Sequence, residues 1–285
     1  MADLGNAKST AEIIKKYGFS FRKRYGQNFL IDGHVLEKIV DGALIGEDDG
    51  IIEIGPGIGT LTQHLCERAK KVVAIEIDKD LIPILDETMS SYDNVKIVNE
   101  DVLKIDMRGL IRDEFGGMDV KVVANLPYYI TTPIVMGLLE MRIPVKNITI
   151  MIQKEVADRI SAGPGTKDYG ALSLAVAYYA DTYTVANVPQ NCFMPRPKVG
   201  STVVRLTVRP HPEVEVKDET MMFSLIRAAF NQRRKTLVNA VANYPGLDFS
   251  KKDLTEALET LGLDGAIRGE TLDLRQFAAL SNILT

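Results

Sequence analysis

Short runs of consecutive apolar residues alternate along most of the chain with stretches whose apolar positions recur at helical spacing. Gly50-Ile51-Ile52-Glu53-Ile54 predicts a strand, and beyond it Leu61, Leu65 and Cys66 share one helical face. A second strand with an acidic end is predicted over residues 71–78, then a helix over 79–89 and a third strand over 95–98. The alternation continues with a strand over 120–124, a helix over 133–140, a strand over 148–152 and a helix from Glu155. Ahead of these, residues 9–17 predict a short helix. Asp32 is placed to cap another, with Val35, Leu36, Ile39 and Val40 as its apolar face. Strands and helices in turn at this spacing predict βαβ units, hence a mostly parallel, Rossmann-like α/β sheet covered on both faces.

The rhythm then changes. Residues 170–188 read as a buried helix running into a strand, and the alternating β-branched run 201–208 follows with no helix between. Those two strands are expected to give the sheet an antiparallel edge. Pro210 and Pro212 mark a boundary. From Lys217 the chain reads as helical throughout, over 219–231, 234–243, 250–261 and 273–284. The expected organisation is an α/β domain over 1–210, with a helical and basic N-terminal extension, and a small all-helical domain over 211–285. No internal repeat is visible.

Gly55-x-Gly57-x-Gly59 lies directly after the first strand and opens a helix, where glycines permit a tight turn and close approach of a ligand to the backbone. Glu76 ends the next strand, where a carboxylate can accept hydrogen bonds from both hydroxyls of a ribose. Asp101, past the third strand, adds a polar group at the same sheet edge, although an Asp there also suits the cap of a following helix. Dinucleotide-dependent oxidoreductases and methyltransferases share this combination, so it points to a nucleoside ligand before it points to which one.

Asn125-Leu126-Pro127-Tyr128-Tyr129-Ile130 follows the fourth strand and matches the Asn/Asp-Pro-Pro-Tyr pattern of amino-methyltransferases. An exocyclic amine of adenine is a poor nucleophile because its lone pair is delocalised into the ring. The Asn125 side-chain oxygen and the Leu126 carbonyl can accept both amine hydrogens and turn that lone pair toward a methyl donor. Pro127 stiffens the turn and Tyr128 offers a face for stacking the base. Further on, the Pro-rich segment Phe193-Met194-Pro195-Arg196-Pro197-Lys198-Val199 carries a second aromatic that can close the other side of a flipped adenine. An oxidoreductase would leave both motifs without a role.

With these motifs the chain resembles the KsgA-type small-subunit rRNA adenine dimethyltransferases, from Arg24-Tyr25-Gly26-Gln27-Asn28-Phe29-Leu30 to the helical tail. The resemblance implies a class I S-adenosylmethionine methyltransferase fold. It places cofactor contacts at Asn28, Leu30, Gly55, Glu76, Asp101 and Asn125, with Glu76 on the ribose and Asp101 on the adenine amine, and Gly57 of the glycine loop is expected to join them. The catalytic pocket falls on Asn125, Leu126, Pro127, Tyr128 and Phe193. It further implies dimethylation of two adjacent adenines in a hairpin near the 3′ end of small-subunit rRNA, within small-subunit assembly in the cytoplasm. Gly200 departs from the pattern, which more often has Asp after Lys-Val, and this is expected to loosen the loop that carries Phe193. Two relatives stay in view: Erm-type large-subunit rRNA methyltransferases, and nucleic-acid-binding proteins of the same fold without catalysis. Tyr129 with Thr131-Thr132-Pro133-Ile134 resembles the KsgA pattern more than the Erm one, and an intact Asn125 to Tyr128 speaks against lost catalysis.

Composition adjusts this picture in a few places. A net charge of −4 is low for a nucleic-acid binder, so phosphate contacts are expected at local clusters. These are Arg22-Lys23-Arg24, Arg196 with Lys198, and Arg233-Arg234-Lys235, the last in a turn between helices where its charges should be exposed. Cys66 and Cys192 provide no disulfide framework and fit a reducing compartment. His34, His64 and His211 lack metal-ligand spacing, so no metal is expected. No apolar run is long enough to span a membrane, the N-terminus has no apolar core of a signal peptide, and no heptad pattern calls for a partner, which predicts a monomer.

Overall fold

The computed structural model describes residues 4–22 and 26–285. Two compact units emerge, Met1–Ala157 with Thr182–Val208, and Asp158–Asp181 with Arg209–Thr285. The first opens with α1 (Ala7–Lys16), β1 (Phe29–Leu30) and α2 (Gly33–Gly42). It continues through β2 (Gly50–Ile54), α3 (Thr60–Cys66), β3 (Lys71–Glu76), α4 (Ile82–Thr88) and β4 (Val95–Asn99). Next come α5 (Met107–Phe115), β5 (Val120–Asn125), α6 (Thr131–Glu140) and β6 (Asn147–Gln153). After α7 (Lys154–Ser161) and α8 (Ala171–Tyr179), the strands β7 (Ala180–Val188), β8 (Phe193–Met194) and β9 (Ser201–Val208) complete the α/β part.

One seven-stranded sheet runs in the order β4-β3-β2-β5-β6-β9-β7. The five strands from β4 to β6 are parallel, and β9 is antiparallel to β6, with β7 outside it as the edge strand. The parallel strands β2 and β5 are buried except at Asn125, and apart from Glu53, Lys121 and Asn125 they are apolar, as expected of strands covered on both faces. On one face the core combines Leu36, Ile39 and Val40 of α2 and Leu65 of α3 with Ile51, Val72 and Val123 of the strands. Elsewhere Ile13 and Ile14 of α1, with Tyr17, Phe19 and Phe21 beyond it, pack against Phe29, Ile58, Leu81 and Ile84. Phe21 and Phe29 have ring centroids 5.3 Å apart. Asp32 caps α2 through the amide of Val35, as its position suggested. Helix α5 has no counterpart in the sequence pattern described above; its start is set by Asp106 capping Gly109 N–H, and its end by Gly116 at φ 52°.

The second unit contains α9 (Glu219–Asn231), α10 (Leu237–Ala242), α11 (Lys251–Thr260) and α12 (Leu274–Leu284). It also claims residues 158–181, so its extent differs from a simple division at residue 210. Aromatic contacts account for this. The ring of Tyr169 meets Phe230 edge-on at 5.6 Å, Tyr178 meets Phe223 at 5.3 Å, and the Tyr169 hydroxyl donates to the Leu272 carbonyl at 2.8 Å. Among the described residues no helix is long and apolar enough to cross a membrane.

Candidate active site

In a parallel sheet all strands point the same way, so the loops that leave them gather at one edge. Here the register Ile54↔Ile75 and Ile54↔Ala124 levels the ends of β2, β3 and β5, and Glu76↔Asn99 brings β4 alongside. A cleft opens at that edge. Its walls are the glycine loop, Glu76 and Ile77, Asp101 and Val102, the segment 125–130, and residues 26–30 of the N-terminal arm.

Gly55 and Gly57 take left-handed φ values of 72° and 63°, so a side chain at either would strain the backbone. A Cβ on Gly57 would also lie 3.0 Å from the Phe29 ring, which floors the cleft. Glu76 is buried, and its carboxylate accepts from the backbone N–H of Asp78 at 2.8 Å and of Gly57 at 3.3 Å. Burial pushes its carboxyl up to about 7, against the opposing pull of those two amides. Asp101 lines the cleft, and its carboxylate accepts from Leu103 N–H at 3.0 Å within a turn; the helix that follows, α5, is capped by Asp106 instead.

On the opposite wall Asn125 ends β5, and its Nδ2 donates to the backbone carbonyl of Asn28 at 3.1 Å. With that nitrogen committed, Oδ1 is left as the acceptor of the amide. Leu126 N–H is used by the Met151 carbonyl at 3.1 Å, and the Pro127 carbonyl by Ile130 N–H and the Thr131 hydroxyl, which closes the turn rigidly. The Tyr128 hydroxyl is 2.8 Å from Ser201 Oγ, so its ring is held at both ends. Asn28, Leu30, Gly55, Gly57, Glu76, Asp101, Asn125, Leu126, Pro127 and Tyr128 therefore line one cleft.

Other expected residues are placed differently. Phe193 is 4% exposed and belongs to the core that includes Leu30 and Val203, and it is absent from the cleft wall. A two-stranded ladder between β1 and β8, Leu30↔Phe193 and Phe29↔Met194, draws it there. Gly200 has an ordinary φ and its carbonyl accepts from Lys154 N–H at 3.1 Å, so the backbone at that point is tied to β6's exit. The guanidinium of Arg22 pairs with Asp78 and Asp80 and does not stand free for phosphate; Lys23 and Arg24 lie outside the described residues. Arg233 is likewise spent within the helical unit, on the Glu270 carboxylate and on the carbonyls of Lys167 (2.7 Å) and Thr166 (2.8 Å). The turn does expose Arg234 and Lys235, and Arg196 and Lys198 are also exposed.

Glu53, Gln27 and Tyr129 line the cleft without a site role assigned to them from the sequence. Glu53 is 1% exposed in the middle of β2 and lines the cleft, and burial, reinforced by the charge of Glu76, pushes its carboxyl up to about 8. One charged residue inside the apolar run 50–54 was the signal available. Gln27 and Tyr129 also line the cleft, Tyr129 with 59% of its surface exposed. Among the described residues no group of His, Cys, Asp and Glu is arranged to hold a metal ion.

The ribosomal RNA adenine dimethylase family model matches residues 18–284. The chain belongs to that family. Its members transfer methyl groups from S-adenosylmethionine to adenine in ribosomal RNA, and this chain is such an enzyme. It is 61% identical, over its full length and 98% of the relative, to the ribosomal RNA small subunit methyltransferase A of Lachnoclostridium phytofermentans. The protein of that name from Alkaliphilus oremlandii is 54% identical over 100% of this chain and 99% of its own. Among solved structures, a dimethyladenosine transferase from Plasmodium falciparum aligns with a TM-score of 0.72 at 28% identity, covering 88% of this chain and 95% of that one. The 23S rRNA methyltransferase ErmE aligns with a TM-score of 0.68 at 27% identity, covering 90% and 99%.

Glu53 yields a pH prediction. Its carboxyl in the folded chain is raised from 4.5 to about 8, so the folded state holds this proton more tightly than the unfolded chain. The stability it contributes is complete below pH 4.5 and is lost as pH rises through about 8. Glu53→Gln keeps the neutral shape without the titration. In the donor-free protein, melting temperature relative to wild type should rise from pH 5 to pH 9, by more than about 2 °C. A difference that stays constant over that range contradicts the assignment.

Proposed function

We propose that this enzyme dimethylates N6 of two adjacent adenines in a hairpin near the 3′ end of small-subunit rRNA, as a step in small-subunit assembly. We read its action as cytoplasmic, with which two buried free thiols, Cys66 and Cys192, accord, and the enzyme as a monomer. Identity near 60% to a small-subunit methyltransferase, against 27% to ErmE, favours the small over the large subunit as substrate. The observation that carries the chemistry is the Asn125 amide, turned by the Asn28 carbonyl so that Oδ1 is its remaining acceptor.

The cleft suits S-adenosylmethionine. Glu76 would take the ribose hydroxyls, Asp101 the adenine amine, and the glycine loop would admit the nucleoside to the backbone. Asn28 and Leu30 would cover the donor from the N-terminal arm. When bound, the donor supplies a methyl group already activated on a sulfonium. The protein's task is therefore to orient the acceptor and exclude water, without a nucleophilic side chain. Asn125 Oδ1 and the Leu126 carbonyl accept the two N6 hydrogens and aim the nitrogen lone pair, and the extra proton leaves to solvent after transfer. Tyr128, fixed by Ser201, stacks on the base. Phe193 supports the β1 strand from the core behind the wall, a packing role in place of direct stacking.

Asn125→Ala is expected to keep S-adenosylhomocysteine affinity within about tenfold while turnover on undermethylated small subunits falls by roughly 100-fold or more. Turnover near the wild-type rate would remove Asn125 from the mechanism. RNA contact is assigned to Arg196, Lys198, Arg234 and Lys235, which are exposed. Replacing Arg234 and Lys235 with Ala should weaken rRNA binding and reduce the salt slope by about 1 to 2, with melting temperature unchanged. Arg233→Ala should instead lower the melting temperature, because it breaks three contacts of the helical unit. An unaltered salt slope in the double variant excludes that turn from the interface.

A further inference from the structure

Asp78 lies just past β3 and is fully buried. A buried carboxylate without partners is costly, and this one is surrounded by donors. Its Oδ2 accepts from Gln27 Nε2 at 2.8 Å, and its Oδ1 from Arg22 Nη1 at 3.3 Å. Gln27 is held at its other end too, where Oε1 accepts from the Arg22 backbone N–H at 2.8 Å. Both faces of that amide are thus assigned, and its direction is not open to reversal. Asp78 is also joined to the donor side of the cleft, through its backbone N–H to Glu76 at 2.8 Å.

Gln27 begins the segment that carries Asn28. The Asn28 side chain donates back to the Gly26 carbonyl at 2.9 Å, and its backbone carbonyl receives Asn125 Nδ2. Residues 26–30 are therefore slung between two anchors, Asp78 on the β3 side and Asn125 on the β5 side. The β1–β8 ladder holds the segment beyond Asn28, at Phe29 and Leu30, and the Asp78–Gln27 bond holds it immediately before Asn28. We infer that Asp78 is a positioning residue for methyl transfer: through Gln27 it holds the Asn28 carbonyl where it orients the Asn125 amide.

The inference rests on the reading of Asn125 as acceptor of the adenine amine. It gives Arg22 a function compatible with its ion pairs, as a tether of the N-terminal arm. It also explains why a carboxylate that would touch neither donor nor base is buried two residues from Glu76. Misorientation of one acceptor amide leaves binding largely intact and lowers the chemical step.

The test is a double-variant cycle on the full-length enzyme, with S-adenosylmethionine and undermethylated small subunits both saturating. Asp78→Ala and Gln27→Ala should each lower kcat by roughly 10- to 100-fold, with a smaller change in donor KM. The double variant should be no slower than the slower single one within about twofold, because both remove the same link. Asp78→Asn keeps an oxygen acceptor for Gln27 and should restore most of kcat; Gln27→Ala carries the test if Asp78→Ala does not fold. Wild-type kcat in the Ala variants, additive losses in the double variant, or an Asp78→Asn as slow as Asp78→Ala would overturn the inference. Asn125→Ala is measured in the same series. If Asn125→Ala turns over normally the reading beneath fails; if it is inactive while the Asp78 and Gln27 variants are normal, only the positioning role fails.

Discussion

Parallel pairing of β2 with β3 and β5 is the constraint on which the rest of the site depends. Parallel strands deliver their carboxyl ends to one edge, and the matched register of Ile54 with Ile75 and Ala124 brings three loops level there. The glycine loop, Glu76 and Asn125 come from separate strands, yet none needs a long excursion to reach the cleft. Strands buried on both faces must be almost purely apolar, and the slip of one residue in any of them would turn its terminal side chain away from the ligand. Core packing and functional geometry are thus set by the same register.

Against that apolar background the buried polar groups are purposeful. Glu53 and Glu76 lie in or beside the sheet, and burial raises both toward neutrality. Asp78 is satisfied by Gln27 and Arg22, while Asn125 is satisfied on one side only by Asn28. This asymmetry suits the proposed chemistry. Groups that hold the arm have their partners within the protein, and the group proposed to meet the base has an acceptor to spare.

Much of this was legible in the sequence where structure is local. The strand–glycine loop–helix unit, Glu76 at the end of β3, and Asn125 to Tyr128 after β5 depend on neighbours in the chain, and residues and spacing reveal them. Contacts between distant residues were not legible. Phe193 is drawn into the core by pairing with Leu30, Arg22 is captured by acids more than fifty residues away, and Arg233 by Glu270. A basic triplet looks the same in sequence whether its charges face solvent or an internal carboxylate. Residues 158–181 likewise follow the helical unit because their tyrosines meet Phe223 and Phe230, which no local pattern discloses. Glu53 is the intermediate case, since its charge within an apolar run was visible and its meaning required the cleft.

On the proposed function, this cleft presents adenine N6 of small-subunit rRNA to S-adenosylmethionine. The most direct test maps the product by mass spectrometry after reaction with undermethylated small subunits, with large-subunit RNA treated in parallel. The expected product is N6,N6-dimethyladenosine at two adjacent positions of a small-subunit hairpin, with none in the large-subunit RNA. Methylation confined to large-subunit RNA, or at an atom other than N6, would contradict it.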